Sequence, residues 1–201
     1  ARLGEVRHYI ADGHHRVAAT VARWRDHGSP RGGSVLSVLY PDDQMHLLAF
    51  HRRVAGPIDA ERLLRDLAET CDVTPVAGPS RSAGSFGLRL AGVWYSVRPR
   101  VPVAGEGVAG LDVTVLDEHL LRRTLGLSSG HPRVSYVSEL TDLAEAGRRA
   151  DADGSALFLL TAPTLEQLVQ VAERGEVMPQ KSTYIEPKPR AGVFLRPRLG
   201  P

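Results

Sequence analysis

The stretch Ile10-Ala11-Asp12-Gly13-His14-His15-Arg16 decides the fold. The residues leading into it predict a short strand, Arg7–Ala11. The apolar rhythm after it predicts a helix that ends at Gly28. A junction between a strand and a helix presents free backbone N–H groups and the positive end of the helix dipole, and both attract an anion. The stretch therefore predicts a strand–turn–helix phosphate site.

Each polar residue of this turn has a chemistry that suits a phosphate. Gly13 lets the backbone approach closely, and Arg16 offers two parallel donors to phosphate oxygens. His14 and His15 can donate to the same oxygens, and Asp12 can orient a cation or accept a proton. The alternative is a capped helix start, with Asp12 as the N-cap and both histidines merely solvated.

A second polar stretch, Met178–Lys188, is unusual in its cations. The chain has 25 lysines and arginines, and the only two lysines, Lys181 and Lys188, both lie here. Lysine is a compact, mobile point charge that arginine does not replace sterically. Together with Ser182, Thr183 and Tyr184 it suits a phosphate or a carboxylate, so we expect a substrate site; the alternative is a polar loop.

The triplet His51-Arg52-Arg53 closes a predicted strand and could add positive charge to a cleft. We include His51 and Arg52 among the candidate substrate-binding residues. The alternative is that they are solvated, as arginines at strand ends usually are.

Helices and strands alternate along the chain without a strict βαβ repeat, which predicts a mixed α/β (α+β) fold. One domain over residues 1–201 is expected, or half of a longer protein, with the Pro/Gly-rich loop Pro99–Gly110 as a candidate boundary. The other predicted strands are Ser34–Tyr40, Gln44–Arg52, Ser85–Ala91, Val93–Arg98, Val134–Val137, Ala156–Leu160 and Gly192–Leu195. The other predicted helices are Ile58–Thr70, with Cys71 at its end, Asp112–Leu125, Leu140–Ala150 and Leu165–Arg174.

Composition excludes several classes of protein. The 25 basic residues face 23 acidic ones, a net charge of +2, so a dedicated nucleic-acid binder is not expected. No apolar run approaches the roughly 20 residues that span a bilayer. A single cysteine, Cys71, rules out a disulfide framework and suits a reducing compartment, so we expect a cytoplasmic protein.

Four segments together give the chain a family resemblance: IADGHHR (Ile10–Arg16), LAFHRRV (Leu48–Val54), LDVTVLDEHLL (Leu111–Leu121) and VMPQKSTYIEPK (Val177–Lys188). With them the chain resembles the prokaryotic domain-of-unknown-function 1015 family. Members of that family are usually about twice as long, with IADGHHR near the middle. The resemblance therefore implies that this chain corresponds to a C-terminal half.

The resemblance places the chain near the ParB/sulfiredoxin-like proteins, which include free serine kinases with a similar DGH turn. It implies Asp12 near the reacting hydroxyl or a Mg²⁺ ion, with Gly13, His14, His15 and Arg16 around the phosphates of ATP, ADP or CTP. His14 stands where sulfiredoxin chemistry needs a cysteine, which excludes that activity. The catalytic glutamate of the serine kinases would lie upstream of the turn, and Glu5 is too close to match it.

The primary hypothesis is a phosphotransferase that uses a nucleotide to phosphorylate a small hydroxylated metabolite such as free serine. The rival hypothesis is a nucleotide-binding switch without net chemistry, of ParB-like type, which predicts a nucleotide-dependent homodimer. A third is an inert scaffold that lacks its catalytic half.

Overall fold

The structure, a computed structural model, describes residues 3–27, 35–101, 105–190 and 192. The chain divides into two compact units. One consists of Ala1–His46 together with Ile185–Pro201, and the other of Leu47–Tyr184.

A six-stranded sheet is the framework of the unit Leu47–Tyr184. Its spatial order is β3-β5-β4-β7-β2-β6, and each neighbouring pair is antiparallel. Two short strands, β1 and β8, form a separate two-stranded sheet. The strands are β1 (His46–Leu48), β2 (Phe50–Val54), β3 (Cys71–Val76), β4 (Phe86–Leu90), β5 (Val93–Pro99), β6 (Val134–Ser138), β7 (Ala156–Leu159) and β8 (Tyr184–Glu186).

The helices begin where the sequence supplies a cap. Asp59 and Asp142 accept backbone N–H groups at two helix starts, and Thr164 forms a capping box with Gln167 at a third. The helices are α1 (His14–His27), α2 (Ala60–Ala68), α3 (residues 112–125), α4 (Leu143–Ala152) and α5 (Leu165–Glu173). Within α3 a π-helical segment, Val115–Leu121, lies between the α-helical turns Asp112–Thr114 and Arg122–Leu125.

Both faces of the six-stranded sheet are covered, because the side chains of β7 alternate between two apolar cores. Phe158 belongs to a large core that includes leucines of α2 and α3, whereas Leu157 and Leu159 pack in a smaller core with Ala146 and Ala150 of α4. A fully buried strand reads as a continuous apolar run, as Ala156–Leu159 does.

The predicted mixed α/β class is confirmed. The strands predicted around residues 85–98, 134–137 and 156–160 are present, as are the four helices predicted after residue 57. The α4 helix begins at Leu143 rather than Leu140, because Asp142 caps it.

Three predicted strands differ from the structure. Residues 7–11 form no strand, so a turn and a helix are present at Asp12–Arg16 without a strand before them. Residues 35–40 are not a strand either, and Asp42–Gln44 forms one turn of 3-10 helix. The strand predicted over Gln44–Arg52 is broken at Ala49 into β1 and β2.

One strand, β3, was not predicted. Pro75 lies within it and removes a backbone donor, a feature that disfavours a central strand. The structure resolves the conflict by placing β3 at the edge of the sheet, where only β5 pairs with it. Cys71 therefore begins a strand, and the prediction that it ends a helix is wrong. The strand predicted at Gly192–Leu195 lies, apart from Gly192, outside the described residues.

Candidate functional site

The turn Asp12–Arg16 opens α1 in the unit that contains residues 1–46. The backbone of Gly13 has a φ of +85°, in the left-handed region that favours glycine. Its carbonyl accepts the N–H groups of Arg16 (2.9 Å) and Val17 (3.1 Å), which starts the helix. Its own N–H donates to Oδ1 of Asp12 at 2.8 Å. Asp12 thus holds the turn, and only glycine takes its backbone shape without strain.

The side chain of Arg16 folds back over this turn. A Cβ atom at position 13 would lie 2.9 Å from Nη2 of Arg16, so the guanidinium occupies the space that a side chain at Gly13 would need. His14, His15 and Arg16 are exposed, and the first turn of α1 contains no acidic residue. Cationic groups at the positive end of a helix dipole are unfavourable unless an anion joins them. Arg16 is therefore placed where a bound anion would be favourable, and anion binding at this turn stays a prediction.

Asp12 also bears on the Mg²⁺ ion that the resemblance implies. Mg²⁺ is commonly held by one or two carboxylates together with substrate phosphates and water. The Oδ1 atom of Asp12 accepts the Gly13 N–H, and Oδ2 is left for a cation, so the residues present fit a Mg²⁺ that arrives with a nucleotide. Within the described part of the chain, no three His, Cys, Asp or Glu side chains cluster as a metal site.

The second predicted stretch, around Lys181, lies in the unit Leu47–Tyr184. Lys181 is exposed and has a φ of +52°, rare for a residue with a side chain. Its ammonium lies 5.1 Å from the ring centroid of Phe50. The ring of Tyr184 meets Phe50 edge-on at 5.8 Å, whereas Ser182 is buried. The structure thus brings Lys181 and Tyr184 together on Phe50.

Two more residues complete this stretch. Thr183 is half-buried next to Ser182, and Lys188 is exposed in the unit that contains residues 185–201. The roles of Lys181, Ser182, Thr183, Tyr184 and Lys188 in binding a substrate stay predictions.

Arg52 anchors the backbone at Lys181 through a hydrogen bond from its buried side chain. The alternative that Arg52 is solvated is wrong, because this side chain is fully buried. A role for Arg52 in binding a substrate stays a prediction. Its Nε and Nη2 donate to the two oxygens of Asp117 at 3.0 and 3.1 Å. Its Nη1 donates to the carbonyls of Phe50 (2.8 Å) and Lys181 (3.0 Å). With four of its five N–H groups engaged, Arg52 fixes the backbone at the residue with the rare φ angle.

Sequence analysis missed Asp117, the partner of Arg52. A signal for it exists: Asp117 lies in a stripe of buried residues of α3 that includes Leu116, Leu120 and Leu121. A carboxylate in an apolar stripe needs a buried cation, and the LAFHRRV segment offers one. Tyr136, the cross-strand neighbour of Arg52, was also missed. The guanidinium carbon of Arg52 lies 4.7 Å from the centroid of the Tyr136 ring.

His51 faces the opposite side of β2 from Arg52, so the structure does not bring these two side chains together. Burial, and secondarily the positive charge of Arg81, lowers the pKa of His51 from 6.5 to about 4. His51 is therefore neutral at physiological pH and adds no positive charge to a cleft. Its Nδ1 accepts the N–H of Leu160 at 3.4 Å, which leaves the proton on Nε2.

Cys71 lacks the lowered pKa of a reactive thiol. It is buried at the start of β3, and burial raises the pKa of its thiol.

The turn Asp12–Arg16 and the Lys181 stretch are therefore the candidate sites, and a phosphate-binding role for either stays a prediction. Residues 2–115 match the family described as "Protein of unknown function (DUF1015)", and the chain belongs to that family. The matched residues include the turn Asp12–Arg16 and the Arg52 strand, and they end before the Lys181 stretch. The assignment to a C-terminal half and to the ParB/sulfiredoxin-like proteins remains an expectation.

Several solved structures are similar to this chain. A free serine kinase in complex with AMP shares 21% sequence identity at a TM-score of 0.48, over 87% of this chain and 66% of that chain. A variant of the free serine kinase in complex with ADP shares 22% sequence identity at a TM-score of 0.46, over 87% of this chain and 66% of that chain. A conserved hypothetical protein from Pyrococcus furiosus shares 21% sequence identity at a TM-score of 0.44, over 87% of this chain and 68% of that chain. This chain thus spans less than two thirds of the free serine kinase chains.

No curated protein matches the sequence. In the part of the chain that the structure describes, no helix has the length and apolar character needed to cross a bilayer.

Proposed function

We propose that this chain is a nucleotide-dependent phosphotransferase acting on a small hydroxylated metabolite such as free serine. The observation that carries the proposal is the turn Asp12–Arg16 at the start of α1, which places a guanidinium beside the helix N-terminus. There Gly13 has a positive φ, the guanidinium of Arg16 folds over it, and His14 and His15 lie exposed in the first turn of the helix. Phosphoryl transfer needs mainly positioning and charge stabilisation, which such a turn supplies.

In this scheme the chain's own residues bind and orient. Arg16 and the first N–H groups of α1 hold the phosphates of ATP, ADP or CTP, and His14 and His15 donate to their oxygens. Asp12 receives the proton of the attacking hydroxyl or holds the cation. A bound Mg²⁺ supplies charge neutralisation between the phosphates. The hydroxyl oxygen forms a bond to the terminal phosphorus as the bond to the leaving nucleotide breaks.

Lys181, Ser182 and Thr183 are proposed to hold a carboxylate or phosphate of the substrate. The observation in favour is the strained, exposed Lys181, whose carbonyl Arg52 fixes from the core. A non-glycine residue with positive φ persists only where the surroundings enforce it, and such residues concentrate at ligand sites.

The test is phosphoserine formation by the full-length gene product with ATP, ADP or CTP, serine and Mg²⁺, followed by mass spectrometry. The Arg16→Gln variant should lose activity by about a hundredfold or more, as when a phosphate-clamping donor is removed. The Arg25→Gln variant removes the same charge from the exposed side of the same helix, and it should retain activity. Absence of phosphoserine with every donor would contradict the kinase proposal.

One observation favours the rival function, a nucleotide-binding switch. The Asp12 carboxylate is already engaged by the N–H of its neighbour, as in a residue that shapes a turn. A switch predicts nucleotide affinity that Arg16→Gln abolishes, no turnover in the wild type, and a nucleotide-dependent change of oligomeric state in analytical ultracentrifugation.

A further inference from the structure

A cavity lined by both polar and apolar residues lies in the unit Leu47–Tyr184. Its volume is about 490 Å³. Its lining combines polar residues with apolar ones: Ser80, Arg81, Ser82, Glu139 and Thr161 are polar, and Leu47, Leu48, Pro79 and Ala162 are apolar. None of the residues of the turn at the start of α1 belongs to it, so a ligand site in this cavity is independent of the proposed phosphotransferase.

The cavity contains the ion pair of Arg81 and Glu139, and these two side chains differ in how many of their polar groups have hydrogen-bond partners. Nη2 of Arg81 donates to Oε1 of Glu139, and Oε2 of Glu139 accepts the N–H of Ala49 at 2.6 Å. Both carboxylate oxygens of Glu139 thus have partners. The Nε and Nη1 groups of Arg81, by contrast, donate to no group that the structure describes. The cavity is left with spare donors and without a spare anionic acceptor.

In the described part of this unit, two buried polar side-chain atoms lack a hydrogen-bond partner, and one of them belongs to a residue that lines the cavity. Among the described residues, buried side-chain atoms without a hydrogen-bond partner are Oγ1 of Thr161 and Nε2 of His51. Thr161 lines the cavity. His51 lies close enough to Arg81 and Glu139 for both to act on its charge, and its Nδ1 is bonded to Leu160, the residue before Thr161. Buried polar groups without partners are rare in folded proteins and need an explanation.

We propose that this cavity binds the carboxylate or phosphate group of a small metabolite, with Arg81 as the cationic anchor and the Thr161 hydroxyl as a second donor. The free N–H groups of Arg81 can only donate and the Thr161 hydroxyl is able to donate, so a ligand with acceptor oxygens suits both, and a charged acceptor makes the stronger bond to a guanidinium. The carbon skeleton of the ligand packs against Leu47, Leu48 and Ala162. Its size is limited to that of a small metabolite by the cavity.

The test follows the imidazole ¹⁵N signals of His51 by NMR while the protein is titrated with sodium acetate in one arm and inorganic phosphate in another. Ionic strength is held constant with chloride. The expected result is a saturable shift with one of the two anions, which also distinguishes a carboxylate from a phosphate site. The Arg81→Gln variant should weaken binding about tenfold or more, and Thr161→Val several-fold.

Two further variants sharpen the test. Glu139→Gln removes the negative charge that competes for Arg81, so it should bind the anion more tightly than the wild type. Arg98→Gln removes an exposed arginine from β5 and should leave the affinity unchanged. If Arg81→Gln does not fold, as judged by circular dichroism, the opposite effects of Thr161→Val and Glu139→Gln decide the matter.

Three outcomes would overturn the inference: no saturable shift with either anion, equal affinity in Arg81→Gln and wild type, or a shift that Arg16→Gln removes and Arg81→Gln does not. The first outcome means that water alone satisfies Thr161 and His51. The last assigns the anion to the turn of α1, and it would leave the proposed phosphotransferase standing.

Discussion

Gly13 is the residue on which the proposed anion site at α1 depends most directly. In Gly13→Ala, the added Cβ meets the Arg16 guanidinium, and the left-handed backbone is unfavourable for alanine. We expect the free energy of unfolding to fall by about 1–2 kcal/mol and nucleotide affinity to fall about tenfold. Urea denaturation and calorimetric titration measure the two effects. Gly4→Ala is the matched control, since Gly4 has open space around it and should show neither effect.

The ion pair between Arg52 and Asp117 is buried, so breaking it leaves an uncompensated charge in the core. Asp117→Asn should lower the free energy of unfolding by about 3–5 kcal/mol. The neighbouring Glu118 pairs with Arg122 on the exposed side of the same helix. Glu118→Gln should therefore be close to neutral in the same urea titration. Similar stability of the two variants would contradict the buried-pair assignment.

His51 makes stability depend on pH in a defined window. Its pKa is lowered from 6.5 to about 4, chiefly by burial, so the unfolded chain binds the proton more tightly than the folded one. Stability is fully present above pH 6.5 and falls as the pH drops from 6.5 to 4, by on the order of 3 kcal/mol. In His51→Gln this part of the pH dependence should disappear.

Chemical denaturation of both proteins between pH 4 and 7 measures the difference. The exposed His46 on β1 provides the control, because His46→Gln should follow the wild-type curve. If the free energy of unfolding of His51→Gln and of the wild type changes with pH in the same way throughout this range, His51 is not a buried neutral side chain.

At the scale of elements, the hairpin of β4 and β5 contains a position that its sequence does not favour. Leu90 pairs with Val93, so Ala91 and Gly92 form a two-residue turn, with φ of +46° and +80°. Turns of this kind prefer Asn-Gly. Ala91→Asn should therefore raise the free energy of unfolding by roughly 0.5–1 kcal/mol. Ala83→Asn in the neighbouring turn should not, because Ala83 lacks a positive φ.

The elements that sequence analysis predicted correctly are those specified by local pattern. The helix after Thr164 has a capping box, and the run Ala156–Leu159 is apolar throughout. Local sequence patterns give the wrong secondary structure where the position of a segment in the tertiary fold decides its conformation. The run 7–11 resembles a strand yet has no sheet to join, and β3 tolerates Pro75 only because it is an edge strand.

The candidate sites divide in the same way. The turn Asp12–Arg16 is contiguous, so its glycine and its cations could be predicted from sequence. The role of Arg52 could not, because it depends on Asp117 and on the carbonyl of Lys181, which lie 65 and 129 residues away along the chain. The orphan donors of His51 and Thr161 likewise become visible only when the neighbours of each atom are known.

At the scale of the whole molecule, the two units differ in how much apolar surface they bury. Both apolar cores consist of residues between 49 and 178, within the unit Leu47–Tyr184. Most side chains of α1, in contrast, are exposed. Local opening is cheapest where few apolar contacts must be broken. We therefore expect hydrogen exchange to be slowest in β2, β4 and β7 and fast in α1.

This contrast makes α1 a sensitive reporter of nucleotide binding. A nucleotide that binds the helix start must stabilise the closed form of its first turn, so exchange at residues 13–17 should slow in its presence. The strands of the sheet, protected already, should change little. Exchange measured by mass spectrometry with and without ATP and Mg²⁺ tests this in the wild type, in Arg16→Gln and in Arg25→Gln. Protection that appears in the wild type and Arg25→Gln but not in Arg16→Gln supports a phosphate site at the turn. Equal protection in all three proteins would place the nucleotide elsewhere, and the proposed function would lose its principal support.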